Sequence, residues 1–349
     1  MAPLAVRCAL AVSAAAAAVA AASAAVCATD LDCSLNGLCV ASQCVCDAPW
    51  SGPACAQLAY ATTPAQAKNI YRAADAHNTW SGPIVGPGDD GKHHAFIPLY
   101  QVGSLWHVIT TMHGVAEAVT GPWDWSSQPN ISSAAINPGF LAFKNASSGA
   151  TVFSLWTGGD ILTAESLYGP FTRAARYSGT NPSPVFLDGA FYLTTQATRE
   201  VLTSPTLEGP WTFFANITHS PTQDYTVEDP HMWVDRRGSW HIICHAYNTS
   251  EMVDCGASHV SAHFFSRDGK DWRWTDQPYG HTVTYDDGTT LTYATLERPF
   301  LSFNAEGQPA FLSLAADLVA VNRDCPAKEC CACCKFSDHA GTIVVALAV

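Results

Sequence analysis

The sequence predicts an all-β fold, a five-bladed β-propeller behind a small cysteine-rich module. After residue 68, short runs rich in Val, Ile, Tyr, Phe, Trp and Thr alternate with Gly, Pro, Asp and Asn, and long amphipathic helical patterns are absent. A two-part unit recurs along this region, and six cysteines fall between positions 27 and 55. The length of 349 residues and the 48% hydrophobic content allow one large core and one small module.

The N-terminal segment has the features of a secretory signal peptide, which we assign to residues 1–24. Arg7 precedes an apolar, alanine-rich run, and Ala22-Ser23-Ala24 fits a cleavage site. An uncleaved signal anchor is the alternative, but the run is rich in Ala rather than Leu and the cysteine-rich module follows at once. We therefore expect a secreted, extracellular glycoprotein. The N-x-[ST] sequons at Asn130, Asn145, Asn216 and Asn248 are compatible with that route.

Charge excludes one class of partner. The chain has 17 basic residues against 30 acidic ones, a formal net charge of −13, whereas phosphate binding needs a cationic surface. We expect no nucleic-acid partner, and also no cofactor and no metal. The last apolar run, residues 342–349, is too short for a membrane span of about 20 residues, so we expect a closing strand there and no transmembrane segment in the mature chain. A lipid-anchor signal is the alternative for that run.

The cysteines at 27, 33, 39, 44, 46 and 55 are a dense, even set, which is typical of a disulfide framework in an exported chain. The stretch from Cys44 to Cys55, with Asp47-Ala48-Pro49-Trp50-Ser51-Gly52 inside it, closely resembles the end of an EGF-like module. That resemblance implies a module over residues 25–57 without calcium, a role as spacer or protein contact, and a linker over residues 58–68. It also implies the pairs Cys27–Cys39, Cys33–Cys44 and Cys46–Cys55.

Seven further cysteines follow the module. Cys244 with Cys255 could staple one loop. The C-terminal cluster favours disulfides over a zinc site because vicinal pairs in an exported protein are more often bridged. Thirteen cysteines would remain after cleavage, so at least one is free or intermolecular. The cluster consists of Cys325, Cys330, Cys331, Cys333 and Cys334.

The internal repeat organises residues 69–349, which we assign to the propeller. Five x-Pro strand starts precede five glycine turns, and each turn leads into an aromatic or apolar strand. A second element, Gly-Pro followed by an aromatic residue, recurs as an outer-strand turn. A β-sandwich is the alternative, although a sandwich has no reason to repeat one unit five times. The strand starts are Gly82-Pro83, Asn137-Pro138, Asn181-Pro182, Asp229-Pro230 and Arg298-Pro299.

The repeat also selects candidate site residues, because the inner strands of a propeller surround one channel. Carboxylates, amides, a guanidinium, a histidine and a tryptophan in one funnel suit a sugar, whose hydroxyls need polar groups and whose C–H face stacks on aromatic rings. Cleavage of a glycosidic bond needs a protonated and an ionised carboxyl group. We expect substrate contacts from Glu228, Arg298, Asn181, Asn137, His77, Trp80 and His231.

Four motifs resemble those of the five-bladed propeller glycoside hydrolases, the arabinanase, β-xylosidase, levansucrase and invertase superfamily, nearest to family 43. They are Val227-Glu228-Asp229-Pro230, Leu296-Glu297-Arg298-Pro299, Asn181-Pro182-Ser183-Pro184-Val185 and His263-Phe264-Phe265-Ser266-Arg267-Asp268-Gly269. The resemblance implies Glu297 as general acid and Asp229 as the acid that tunes it. It implies a plant- or algal-type polysaccharide or oligosaccharide as substrate.

The first strand start departs from the family pattern, since Asn78-Thr79-Trp80-Ser81-Gly82-Pro83 holds no acid. Asp75, a few residues upstream, is the expected substitute as base; otherwise Glu228 takes that role or the site is not hydrolytic. Two alternatives stay open, a catalytically silent carbohydrate-binding or adhesion propeller and a glycoside phosphorylase-like enzyme. A structural ion pair with Arg298 is the competing explanation for the acids, and strand packing is the competing one for His231, His241, His245 and His263.

Overall fold

The computed structural model confirms an all-β, five-bladed propeller with an N-terminal disulfide-rich module. Four antiparallel sheets of four strands and one of three follow one another along the chain, and we number them blades I to V. The predicted signal peptide and Asp75 lie outside the described residues. No helix within the described part is long and apolar enough to cross a membrane. The structure describes residues 26–71, 77–101, 108–126, 131, 137–196, 199–217, 225–248, 259–318 and 341–349.

The EGF-like module is two small hairpins held by three disulfides. The pairs Cys27–Cys39, Cys33–Cys44 and Cys46–Cys55 confirm those implied by the resemblance. So short a segment has too few apolar side chains for a hydrophobic core of its own, and the disulfides stabilise the module instead. Its elements are a 3-10 helix Asp30–Cys33, β1 (Gly37–Val40), β2 (Gln43–Cys46), β3 (Trp50–Ser51) and β4 (Gln57–Leu58); a second 3-10 helix, Ala65–Lys68, follows.

Blades I to III are antiparallel ladders in chain order. In blade I the inner strand is split into β5 and β6, which both pair with β7. The strands are β5 (His77–Thr79), β6 (Ile84–Val85), β7 (His93–Gln101) and β8 (Val108–Ala116) in blade I; β9 (Gly139–Lys144), β10 (Thr151–Thr157), β11 (Asp160–Ala164) and β12 (Thr172–Arg176) in blade II; β13 (Ser183–Leu187), β14 (Ala190–Thr194), β15 (Glu200–Ser204) and β16 (Thr212–Asn216) in blade III.

Blades IV and V have longer inner strands, each interrupted by an irregularity after its first residues. The register shifts between Glu228 and His231 in blade IV and between Glu297 and Phe300 in blade V. A hairpin, β21 with β22, lies between the two blades in sequence. The strands are β17 (Tyr225–Val234), β18 (Trp240–Asn248), β19 (His259–Ser266) and β20 (Arg273–Asp276) in blade IV; β21 (Thr282–Thr284) and β22 (Thr290–Thr292); β23 (Thr295–Phe303), β24 (Pro309–Asp317) and β25 (Gly341–Ala346) in blade V.

Large side chains between neighbouring sheets form the core, as the aromatic content of the repeats predicts. Tyr192 of blade III, for example, contacts Trp240 of blade IV with ring centroids 4.8 Å apart. The Gly-Pro-aromatic turns of blades II and III join the third and fourth strands of those blades, as expected: the turn with Trp211 lies between β15 and β16, and Trp211 packs edge-on against Trp156 of blade II. Packing of this kind fixes each blade against the next.

The predicted linker and the C-terminal run meet in blade V. Strand β25 is the third strand of that blade, and Tyr60 pairs with Leu347 at its outer edge. The amide of Ala61 donates to the carbonyl of Ala346, at 2.9 Å. Residues 58–68 therefore lie along the propeller rather than crossing solvent, because the edge of β25 offers unpaired backbone groups.

The prediction for Cys244 needs correction. Its side chain is a free thiol, 1% exposed in the core between blades III and IV, where Sγ donates to the carbonyl of Ala262 at 3.6 Å. Burial raises the pKa of this thiol. Cys255 and the C-terminal cysteine cluster lie outside the described residues.

The module lies against blade IV, where it contacts the turn between β17 and β18 and strand β19. Trp50 stacks on His263 with ring centroids 5.0 Å apart, and Arg237 donates to the carbonyl of Leu35 at 2.6 Å. Module and propeller share one hydrophobic cluster, which contains Trp50 and Leu58 of the module side. The module is thus packed onto the propeller over this contact.

Candidate functional site

A ring of five residues, one from each blade, closes the axis of the propeller. Each has a positive φ between 37° and 53°, and in blades II to V the next residue is a proline. In blade I the ring residue is Ser81, so Gly82 stands where the other blades have proline. The strand start predicted as Gly82-Pro83 is therefore displaced by one residue. The ring residues are Ser81, Asn137, Asn181, Asp229 and Arg298.

Hydrogen bonds within the ring satisfy its polar groups. Asn137 Nδ2 donates to Asn181 Oδ1, and Asn181 Nδ2 donates to Asp229 Oδ1, each at 2.5 Å. Asn137 and Asn181 are each 7% exposed and Asp229 is 5% exposed. These three side chains, predicted as a tuning acid and as substrate contacts, form a buried floor. Their amide and carboxylate groups are occupied by one another.

Arg298 completes the ring from blade V. Its Nη2 lies 3.5 Å from Asp229 Oδ1, and its Nη1 donates to the carbonyl of Trp80 at 3.2 Å. Tyr100 donates to Asn137 Oδ1 at 3.2 Å beside it. Arg298 as a whole is 6% exposed. Because both charges are buried, each needs the other as its partner.

The carboxyl group of Asp229 has a raised pKa. Burial is the largest cause, and the negative charge of Glu297 raises it further, whereas Arg298 and His245 lower it. Asp229 is therefore linked electrostatically to the carboxylate of the next blade. A buried acid that responds to a neighbouring carboxylate suits the tuning role expected of it.

Glu228 and Glu297 occupy the same place on neighbouring blades, one residue before the ring. Both side chains are half-buried, in contrast to the buried ring. Glu228 Oε1 accepts a hydrogen bond from Gln196 Nε2 at 2.5 Å, and Gln196 Oε1 in turn accepts from Asn181. Gln196 follows the end of β14 and was not found from the sequence, since no motif marks it.

Trp80 has the corresponding place in blade I but does not present its ring. It is 3% exposed and packs against Tyr100 and Ala315. Trp80 is therefore a core residue. It does not offer a stacking surface to a sugar, because stacking needs an accessible aromatic face. Among the described residues of blade I, the ring position itself is Ser81 and carries no carboxylate. His77 begins β5, where its backbone pairs with Gln101.

His231 lies apart from the two half-buried carboxylates. It lies two residues after the ring residue of blade IV and lines a small cavity of about 40 Å³ to which Glu228 and Glu297 do not contribute. Its ring contacts Phe300 at 4.1 Å between centroids, and burial lowers its pKa to about 3. His231 is therefore a buried neutral histidine below the ring rather than a contact beside the carboxylates.

His245 joins the carboxylates instead. It is directly opposite Glu228 on β18, and the donor atoms of Glu228, Asp229 and His245 all lie within 4.8 Å of one another. Such a set could hold a cation. Asp229 is already paired with Arg298, which opposes a second positive charge there.

Comparisons with known proteins give one family match and several similar structures. A family model described as Teneurin-like EGF domain matches residues 29–58. No curated protein matches the sequence. Similar solved structures include an endo-arabinase and an endo-1,4-beta-xylanase from Bacteroides thetaiotaomicron and a thermostable family-43 glycoside hydrolase. The family model confirms the resemblance to an EGF-like module.

The similarity to these structures is distant. The endo-arabinase is 11% identical, with 82% of this chain and 97% of that chain covered at a TM-score of 0.44. For the family-43 hydrolase the identity is 10%, the coverage 78% and 89%, and the TM-score 0.44. For the xylanase the values are 14%, 58% and 77%, and 0.40. The blade count follows from the strand order of this chain itself.

Proposed function

We propose that this protein is a glycoside hydrolase acting on plant- or algal-type polysaccharides or oligosaccharides by general acid/base catalysis. The observation that carries the proposal is the pair Glu228 and Glu297, two half-buried carboxylates in equivalent places on neighbouring blades. Asp229, beneath them, has a raised pKa and supports the site without contacting substrate. A pair of carboxyl groups is what hydrolysis of a glycosidic bond requires.

Hydrolysis needs different protonation states for the two carboxyl groups, one ionised and one protonated. Glu228 accepts the hydrogen bond of Gln196, which stabilises its ionised form. We assign Glu228 as the base and Glu297 as the proton donor. Asp75 remains the alternative base. Carbohydrate is thus the proposed substrate, and the carboxylates would act on its glycosidic oxygen and anomeric centre.

Leaving-group chemistry separates the two roles. We expect Glu297→Gln to lower kcat on a substrate with a poor leaving group, such as an unsubstituted phenyl glycoside, by about 10²–10⁴-fold, because proton donation is lost. On a dinitrophenyl glycoside, which leaves without a proton, the same variant keeps most of its rate. Glu228→Gln loses both reactions. The measurement is kcat on matched pairs of aryl pentosides and hexosides.

Glu306→Gln is the matched control, because Glu306 is an exposed acid in the turn at the other end of β23. It should retain wild-type rates. Equal rates for wild type and both site variants would contradict the assignment. Wild type without turnover but with retained glycan binding would favour the second candidate function.

That second candidate is a catalytically silent carbohydrate-binding propeller. Trp80 and Ser81 of blade I occupy the places where blade IV has Glu228 and Asp229. The described part of blade I therefore contributes no acid next to the ring. A site that binds sugar without cleaving it needs none.

We further propose that the protein is secreted after removal of residues 1–24. Three disulfides in the EGF-like module support an oxidising compartment. Of the predicted glycosylation sites, Asn145 lies exposed in the turn between β9 and β10. A protein partner would bind the module on the part of its surface that does not contact blade IV.

A further inference from the structure

A row of polar side chains crosses the contact between the EGF-like module and blade IV. Asp235 Oδ2 lies 3.6 Å from His241 Nε2, and His241 Nδ1 lies 3.0 Å from His263 Nε2. His263 Nδ1 is in turn 3.5 Å from Nδ2 of Asn36 in the module. His241 is 1% exposed and His263 is fully buried. The two buried rings therefore join the turn of blade IV to the module, and Asp235 at the outer end of the row is 18% exposed.

The end groups fix the proton on each ring. Asn36 Nδ2 can only donate, so His263 Nδ1 faces it as an acceptor. The proton of His263 is then on Nε2 and is donated to His241 Nδ1. His241 consequently carries its proton on Nε2, towards Asp235. Each ring holds one proton, and both are neutral.

We propose that docking of the EGF-like module onto blade IV is pH-sensitive, held by the neutral His241–His263 pair and weakened when His263 gains a second proton. That proton would be on Nδ1, where it faces the amide hydrogens of Asn36. Two donors would then point at each other inside the contact. The buried charge would also have no anion beside it.

The groups packed around His263 are uncharged. Trp50 of the module stacks on it at 5.0 Å, Phe265 of its own strand lies at 5.4 Å and Trp233 at 6.0 Å between centroids. Burial lowers the pKa of His263 well below the usual value, and the nearby His241 lowers it further. Nothing described next to this ring compensates a positive charge.

His241 is surrounded by three charged groups. Asp235 raises its pKa by a hydrogen bond and by charge, Asp47 of the module raises it too, and Arg237 lowers it; burial is the largest cause, and the pKa is lowered overall. Arg237 and Asp47 also form an ion pair across the contact, at 2.5 Å. Burial raises the pKa of Asp235, but the hydrogen bonds and positive charge of its neighbours lower it overall, so Asp235 stays ionised and histidine is the group that titrates between pH 7 and 5.

The sign follows from the lowered pKa of His263. Docked protein keeps this ring neutral, whereas undocked protein exposes it and lets it titrate near its ordinary pKa of about 6.5. Docking is fully favoured above that pH and is lost progressively below it. The ratio of undocked to docked protein should rise about tenfold per pH unit below about 6.5.

The pH dependence of docking is tested by measuring the distance between the module and the propeller in the full chain. Dyes are attached through non-canonical amino acids at exposed Val40 of the module and exposed Glu208 of blade III, and energy transfer is followed from pH 7.5 to 5.0. Wild type should show one distance at pH 7.5 and a growing second population at pH 5.0. His263→Gln, which can still accept and donate but cannot titrate, should keep one distance throughout.

His113→Gln is the matched control, since His113 is in an equivalent histidine pair of blade I away from the module. It should respond to pH as wild type does. One distance in wild type down to pH 5.0, or a His263→Gln response like that of wild type, would overturn the proposal. Should His263→Gln undock at pH 7.5, Asn36→Asp decides: its carboxylate accepts from protonated His263, so docking should strengthen from pH 8 to 6, and an unchanged direction overturns the proposal.

Discussion

Blades I and IV contain the same row of two buried histidines next to a more exposed aspartate. In blade I, Asp90 Oδ1 lies 3.7 Å from His94 Nε2, and His94 Nδ1 lies 2.9 Å from His113 Nε2. The positions match those of blade IV, because the first histidine is on the second strand near the turn and the second is on the third strand in both blades. The repeat therefore extends to buried polar groups.

What covers the row differs between the two blades. In blade I, Tyr168 of blade II donates to Asp90 Oδ2 at 2.7 Å and places its ring edge-on to His94. His113 Nδ1 is buried without a hydrogen-bond partner among the described residues. In blade IV the equivalent nitrogen faces Asn36 of the EGF-like module. The module thus supplies a partner to a nitrogen whose equivalent in blade I has none among the described residues.

Blades I and IV also differ at their opposite ends, where the inner strands meet the ring. Blade I has Trp80 and Ser81 beside and in the ring, whereas blade IV has Glu228 and Asp229. Blade IV carries carboxylates at one end and the module at the other. The same blade architecture therefore holds packing residues in blade I and, in blade IV, both the candidate site and the contact with the module.

The largest expected effect separates the two ring positions. Arg298→Leu leaves the carboxylate of Asp229 buried without its partner, which should lower the free energy of unfolding by about 3–5 kcal/mol. Ser81→Ala, at the blade I position, loses one hydroxyl contact and should cost only about 0.5–1.5 kcal/mol. Urea unfolding measures both. Similar losses for the two variants would show that the ring is equally stabilised all round.

A smaller loss of unfolding free energy is expected where the EGF-like module packs over the histidine row of blade IV. Trp50→Ala removes the ring stacked on His263 and should lower the unfolding free energy by about 3 kcal/mol, as for other buried tryptophans. The measurement is thermal unfolding of the full chain with its disulfides intact. A loss below about 0.5 kcal/mol would mean that the module contributes no packing to blade IV.

The smallest effect concerns Tyr168. Its hydrogen bond to Asp90 raises the pKa of the phenol to about 12. Tyr168→Phe should cost about 1 kcal/mol at neutral pH. Because the folded pKa is raised, the contribution of this group is present below about pH 10 and is lost as the pH rises towards 12. Absorbance titration should show one high-pH phenol fewer in the variant; an unchanged titration curve would contradict the contact.

Much of the fold could be predicted because each copy of the sequence repeat corresponds to one blade. Proline at strand starts, glycine turns and aromatic outer turns gave the blades, and the cysteine pattern with its EGF resemblance gave the three disulfides. The equivalence of Asn137, Asn181, Asp229 and Arg298 was also visible, since each precedes a proline.

The burial of those side chains could not be predicted. Adjacent residues of an irregular strand point in different directions, so the sequence does not say which of Glu228 and Asp229 is buried. Trp80 looked like a stacking platform because the split strand of blade I shifts the ring position to Ser81. Gln196 and His245 reach Glu228 only through the fold, and no local pattern marks either of them.

The pairing of Tyr60 with Leu347 has a consequence for synthesis of the chain. The hydroxyl of Thr63 accepts from the amide of Ala346, 283 residues later in the sequence. Blade V therefore cannot be completed until the segment with β25 has left the ribosome, whereas the EGF-like module can form its disulfides early. Contacts of such long sequence separation fold slowly. Until then, β24 of blade V has an open edge, and chaperones that cover β-edges would be of most use there.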